Sequence, residues 1–130
     1  MIATNDIKTL IIDVSKLTIR LLSNTLRSKY PDYKIVGIVD NLLDGLEHIE
    51  IKQPDLIFLN FDLSGINKHD LLDSIFSYNI PVIFISLHAK YAQNAIKYSP
   101  LDYLVYPVSL EDLDDALGKM NKQNQIRYYL

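Results

Sequence analysis

Five short apolar runs, each followed by an amphipathic stretch, leave this 130-residue chain little choice of fold. Thr9–Val14, Tyr33–Val39, Asp55–Leu59, Val82–Ser86 and Leu101–Val105 read as strands. The middle runs are almost continuously apolar, the mark of strands covered on both faces. The stretches between them have helical periodicity. Lys16–Lys29 reads as a helix with Ser15 at its N-cap and Leu17, Leu21, Leu22 and Leu26 on one face, closed by Pro31. Asn41–Lys52 reads as a second, with Leu42, Leu43, Leu46 and Ile49 inward. After the loop Asp62–Gly65, Asn67 is placed to cap a third helix running to about Tyr78, and Pro81 opens the next strand. A fourth spans Ala89–Tyr98, and Ser109, after Pro107, caps a last one from Leu110 to about Lys122. Strand and helix alternate five times. Short connections and right-handed crossovers turn that order into an α/β, doubly wound (βα)5 architecture: a five-stranded parallel sheet with helices on both faces.

The length suits one domain with a full core and is too short for two. The expected division is a domain over 1–122 and a tail, or the start of a linker, over 123–130. Hydrophobic content of 48% with 22% charged residues suits a globular chain rather than a disordered one. The net charge of −3 provides no basic field for DNA or an anionic membrane. The absence of cysteine excludes disulfides, thiolate metal sites and a Cys nucleophile. No apolar run reaches the roughly 18 residues a membrane span needs. Met1–Asp6 lacks the regions of a signal peptide, so a cytoplasmic location with no membrane partner is expected. His48, His69 and His88 show no metal-ligand spacing and read as surface residues. Asp13-Val14-Ser15-Lys16 has no glycine and no Gly-x-Ser-x-Gly occurs, so nucleotide, flavin and hydrolase chemistry lack a signal.

In parallel sheets ligands bind at the carboxyl ends of the strands. The tips here carry Asp13, Asp40, Asn60, Ser86 and Tyr106. A carboxylate at position 60, beside other carboxylates, would hold a divalent cation and accept a phosphoryl group. An amide has no negative charge and is a poor nucleophile.

Pro54–Ser64, Pro81–Ser86 and Leu101–Ser109, in this order, resemble segments of the receiver domain of two-component response regulators, and Tyr91–Ile96 is similar to receivers of LytTR-type regulators. The resemblance covers Thr9 to about Asn121 and implies the flavodoxin-like receiver fold. It implies that Ser86 and Tyr103 are the switch pair that couples phosphorylation to the surface, and that Pro107 follows a cis bond. It also exposes departures. The second acidic residue after the first strand is Val14, the phosphoacceptor is Asn60, the phosphoryl-contacting Lys is Tyr106 and the loop proline is Ser64. Phosphoryl transfer to a carboxylate needs a nucleophile, a metal and a cation on the phosphoryl oxygens. Asn60 removes the first, Val14 a ligand for the second, and Tyr106 the third. An Asp exchanged for Asn60 by design would leave Val14 and Tyr106 unexplained.

The expectation is therefore an atypical receiver, not an enzyme, that regulates by protein–protein contact. Its cofactor is none, with weak Mg²⁺ binding by Asp13, Asn60 and Asp62 as the remaining option. The face formed by the fourth helix, fifth strand and last helix is the family's usual output surface. Basic Lys90 and Lys97 with Tyr91 there, opposite acidic Asp114 and Asp115, point to a homodimer. A histidine kinase or other signalling protein is the implied partner. DNA would be reached only through a separate effector domain, as in LytTR-type transcription factors. Two alternatives remain. Either phosphorylation moves to Asp62 or Asp13, or Asn60, Tyr103 and Tyr106 line a pocket for a small neutral ligand.

Overall fold

The computed structural model describes residues 6–129, with side chains to Met120. Five strands, β1 (Ile7–Ile12), β2 (Tyr33–Val39), β3 (Leu56–Asn60), β4 (Val82–Ser86) and β5 (Asp102–Val105), alternate with five helices. The helices are α1 (Lys16–Lys29), α2 (Leu42–Lys52), α3 (Lys68–Phe76), α4 (Ala92–Ile96) and α5 (Leu110–Tyr129). All strand pairs are parallel, in the order β2-β1-β3-β4-β5. The chain thus winds outward from β1 in both directions, and the tips of β1 and β3 lie side by side where the winding reverses.

Alternation along the strands sorts their side chains into two cores. Leu10, Ile12, Ile57, Leu59 and Phe84 face α2, α3 and α4, where they meet Leu42, Ile49, Leu72, Ile75 and Ala95. Ile11, Leu56, Phe58, Ile83, Ile85 and Leu104 face α1 and α5, against Leu22, Leu26, Leu113, Ala116 and Leu117. Full burial of such side chains contributes about 1.5–3 kcal/mol each. On the first side α2 lies so close to the sheet that a Cβ on Gly45 would sit 2.6 Å from Ile12 Cδ1.

Some caps form as the sequence suggests. Ser15 Oγ accepts the Thr18 N–H and Ser109 Oγ that of Asp112, while Asn41, read as the first residue of the second helix, instead caps it, its Oδ1 accepting the Asp44 N–H. Others differ. Asn67 precedes α3 in a left-handed conformation (φ 67°) and makes no side-chain cap bond. The expected fourth helix is a 3₁₀ turn at 89–91 and one α turn. It ends at Ile96, and three residues on Ser99 is left-handed (φ 54°) before Pro100, where the right-handed helical conformation is disfavoured. β1 ends at Ile12, which leaves Val14 outside the strand and exposed. Leu17, Leu21 and Leu43 are also exposed rather than inward, Leu43 at 66%. The sheet-facing line of α1 is Thr18, Leu22 and Leu26, and Leu17 and Leu21 sit one position ahead of it. In α2 the line is Leu42, Gly45 and Ile49, so Leu43 is rotated toward the strand ends. The last helix continues past Lys122 to Tyr129, while the side chains of the expected tail, and Met1–Asn5, lie outside the described residues. No described helix is long and apolar enough to cross a membrane.

Tyr33 opens β2 with its ring buried and its hydroxyl meeting no partner among the described residues. Burial, with Asp32 and Tyr30 nearby, pushes that hydroxyl from 10.0 up to about 12. A raised acid group stabilises the fold below its unfolded value and ceases to do so as pH climbs through the folded one. Wild-type stability should therefore carry a Tyr33-dependent loss between pH 10 and 12. Tyr33→Phe should remove that loss and, by deleting a buried unpaired hydroxyl, leave neutral-pH stability unchanged or raised by about 1 kcal/mol. Urea midpoints of both proteins across that range measure the effect.

Candidate functional site

β1 delivers Asp13, β3 Asn60 and β4 Ser86 to one end of the sheet, and Tyr106 follows β5 there. A cleft of about 110 Å³ between α1 and the strand ends is lined by Asp13, Ser15, Asn60, Asp62, Ser86 and Tyr106, among others. Asp13 is 3% exposed and Ser86 1% exposed, so the polar atoms of both need partners inside the protein.

Asp13 is engaged through one of its two carboxylate oxygens. Its Oδ1 accepts the Asn60 Nδ2–H at 2.9 Å and the Ser15 N–H at 2.9 Å. Asn60 uses its other end too, its Oδ1 accepting the Asp62 N–H at 2.8 Å. A carboxylate at position 60 could not donate to Asp13. The amide converts a place for two like charges into a hydrogen-bonded pair.

Asp62 turns away from Asp13. Its Oδ1 accepts the Ser86 hydroxyl at 2.7 Å and its Oδ2 accepts the Leu87 N–H at 2.8 Å. The same loop is pinned from outside by Lys68, whose ammonium donates to the Phe61 carbonyl at 2.6 Å and lies over the Phe61 ring. Burial lowers the Lys68 pKa, and the negative charge of Asp62 acts against that shift. Ser86 Oγ receives the His88 N–H at 2.9 Å, and the Tyr103 hydroxyl donates to the His88 carbonyl at 2.6 Å. Burial raises the Tyr103 pKa.

Tyr103 and Tyr106 do not share a pocket. They are three residues apart, an odd spacing that sends them to opposite faces of the sheet. Tyr103 packs edge-on against Phe61 and Phe84 in the α2–α3–α4 core, while Tyr106 packs beside the α1–α5 core. The three-residue pocket of Asn60, Tyr103 and Tyr106 is therefore not formed, and only Asn60 and Tyr106 line the cleft. The Tyr106–Pro107 bond is cis, as the resemblance implies for Pro107. Asp13, Asn60 and Asp62 meet as a hydrogen-bonded chain rather than as three oxygens aimed at one point. No group of three or more His, Asp or Glu among the described residues converges on a metal position. His48 lies by the Asp44 carbonyl, His69 by the Tyr98 hydroxyl and His88 against the Tyr91 ring.

The output face is also partly rearranged. Lys90, Tyr91 and Lys97 are exposed, each lysine over a neighbouring tyrosine ring. Asp115 is exposed one turn before Lys119, which pairs with Asp102 of β5 at 2.9 Å. Asp114 faces the other way and accepts the Tyr30 hydroxyl after α1 at 2.9 Å. Sequence reasoning missed the grip of Asp62 on Ser86 and Leu87. Its only signal was a short acid two residues past a strand tip.

Residues 9–118 match the family of response regulator receiver domains. The sensory transduction protein LytT of Bacillus subtilis is 28% identical over 121 residues, covering 92% of this chain and 50% of that one. The sensory transduction protein LytR of Staphylococcus haemolyticus is 28% identical over 118 residues, covering 89% of this chain and 46% of that one. The chain thus spans about half the length of these curated relatives. Among solved structures, the signal receiver domain of a modulated diguanylate cyclase from Desulfovibrio desulfuricans superposes with a TM-score of 0.79 at 21% identity. That superposition covers 94% of this chain and 98% of the other.

Asn60→Asp should replace the Asp13 hydrogen bond with two carboxylates in contact. The variant should lose about 1–3 kcal/mol at neutral pH. The deficit should shrink as pH falls toward about 4, because like charges in contact make one of the pair take up a proton above the ordinary aspartate value of about 3.9. Urea unfolding of both proteins from pH 3 to 7 gives the comparison, and a pH-independent deficit would rule out charge repulsion as its cause.

Proposed function

The chain therefore belongs to the response regulator receiver domain family, and from that premise we propose that it is a phosphorylation-independent receiver that regulates through protein contacts. Receiver domains are regulatory modules of two-component systems and interact with histidine kinases. The observation that carries the proposal is the Asn60–Asp13 hydrogen bond. It places a weak nucleophile where the reactive carboxylate belongs and engages the one acid left after β1. Tyr106 adds no cation to the cleft. The departures at positions 14, 60 and 106 remove different parts of one reaction, and a chain that kept the reaction would need all three.

The lead test is an intact mass after incubation with acetyl phosphate and Mg²⁺, with an active receiver treated alongside. The expected result is labelling of the active receiver and an unchanged mass for this chain. An adduct would overturn the reading, and mapping it to Asp62 or Asp13 would show that the chemistry had moved.

The contact we favour is a homodimer through the face bearing Lys90, Tyr91, Lys97 and Asp115. Basic groups beside α4 and an acid on α5 are complementary across a two-fold axis. Asp114, engaged by Tyr30, is left out of that surface. Light scattering over a concentration series should reach the mass of two chains. A single-chain mass at high micromolar concentration would remove the dimer from the proposal. We assign any DNA contact to a separate effector domain, for which the greater length of LytT and LytR leaves room.

A further inference from the structure

Ser86 is a buried hydroxyl with a choice of acceptors. Asp62 Oδ1 lies at 2.7 Å and the His88 carbonyl at 3.3 Å. The shorter, charge-assisted bond is the stronger one. Once the Ser86 proton points to Asp62, the Ser86 oxygen is free to receive the His88 N–H. The second Asp62 oxygen takes the Leu87 N–H, so one carboxylate holds two successive residues of the chain leaving β4. The His88 carbonyl in turn receives the Tyr103 hydroxyl from β5. A continuous polar chain, Asp62–Ser86–His88–Tyr103, runs from the loop after β3 to the surface that carries Lys90 and Tyr91.

We propose that the Asp62 carboxylate is a resident anion that holds the Ser86–Tyr103 switch in one fixed arrangement, filling from within the chain the two-donor site made by the Ser86 hydroxyl and the Leu87 N–H. This deepens the phosphorylation-independent reading and rests on it. The switch needs no transferred group because a side chain two residues past Asn60 supplies the negative oxygens. Asp62 is thus a positioning residue, not a phosphoacceptor. Each of its carboxylate oxygens already accepts a hydrogen bond, and Lys68 is the basic group beside it.

Hydrogen exchange of the full chain, read by mass spectrometry, tests the assignment. Asp62→Asn keeps the shape and volume but turns an N–H toward one of the two donors. Amides of 87–91 should exchange about tenfold faster or more, while those of β1 and β3 stay as in the wild type. Asp62→Ala should give the same segment-limited loss, and formate, a free carboxylate small enough for the vacated place, should restore protection. Unchanged exchange at 87–91 in both variants would overturn the proposal. So would a rise shared equally by every strand, which would make Asp62 a contributor to overall stability alone. Failure of formate to protect Asp62→Ala would overturn the anion-site assignment. If Asp62→Ala does not fold, Ser86→Ala, which deletes one donor and leaves the carboxylate, must show the same local loss. These outcomes are independent of the acetyl phosphate experiment. An adduct on the wild type would break the phosphorylation-independent reading whatever the exchange pattern, and normal exchange in the variants would break this inference alone.

Discussion

Covering a parallel sheet on both faces is the constraint from which the rest follows. With apolar side chains facing helices above and below, the central strands β3 and β4 carry their polar groups at their ends. β3 and β4 show this directly, since residues from Leu56 to Leu59 and from Val82 to Ile85 are buried and apolar, and polarity appears at Asn60 and Ser86. Reversal of the winding between β1 and β3 then sets Asp13 beside Asn60. The site is not an addition to the fold. Its polar members are hydrogen-bonded to one another and to the adjoining backbone.

That constraint also explains what could be read from sequence. The order of elements, the double covering of the sheet and the polar tips are all one-dimensional patterns, and they appear where the runs place them. Ser15 and Ser109 cap as expected because capping is local. The misplacements are of another kind. Leu17, Leu21 and Leu43 are apolar enough for the core, but a helix offers the sheet only one stripe. Whether that stripe is centred on Leu21 or Leu22 depends on how the helix is rotated, which tertiary packing decides. Asn67 fails as a cap for a similar reason, because the loop enters α3 through a left-handed residue.

The polar chain was harder to foresee. Asp13 and Asn60 are 47 positions apart and Asp62 and Ser86 are 24 apart, and no periodic signal links such pairs. The resemblance to receivers singled out Asn60, Ser86 and Tyr103, but it treated them through the reaction of relatives. Asp62 then looked like a spare acceptor or a spare ligand, not a partner for Ser86. The same habit grouped Tyr103 with Tyr106, which strand parity separates.

The amide at position 60 has one more consequence. A cluster of carboxylates crowded at a strand end stores electrostatic work, and the molecule releases that work when a cation or a proton arrives. Exchanging one carboxylate for an amide discharges the cluster beforehand. What remains, a donor facing an acceptor, is already at rest. The strand end therefore holds one carboxylate fewer for a cation or a proton to neutralise, and position 60 contributes a hydrogen bond in place of a charge.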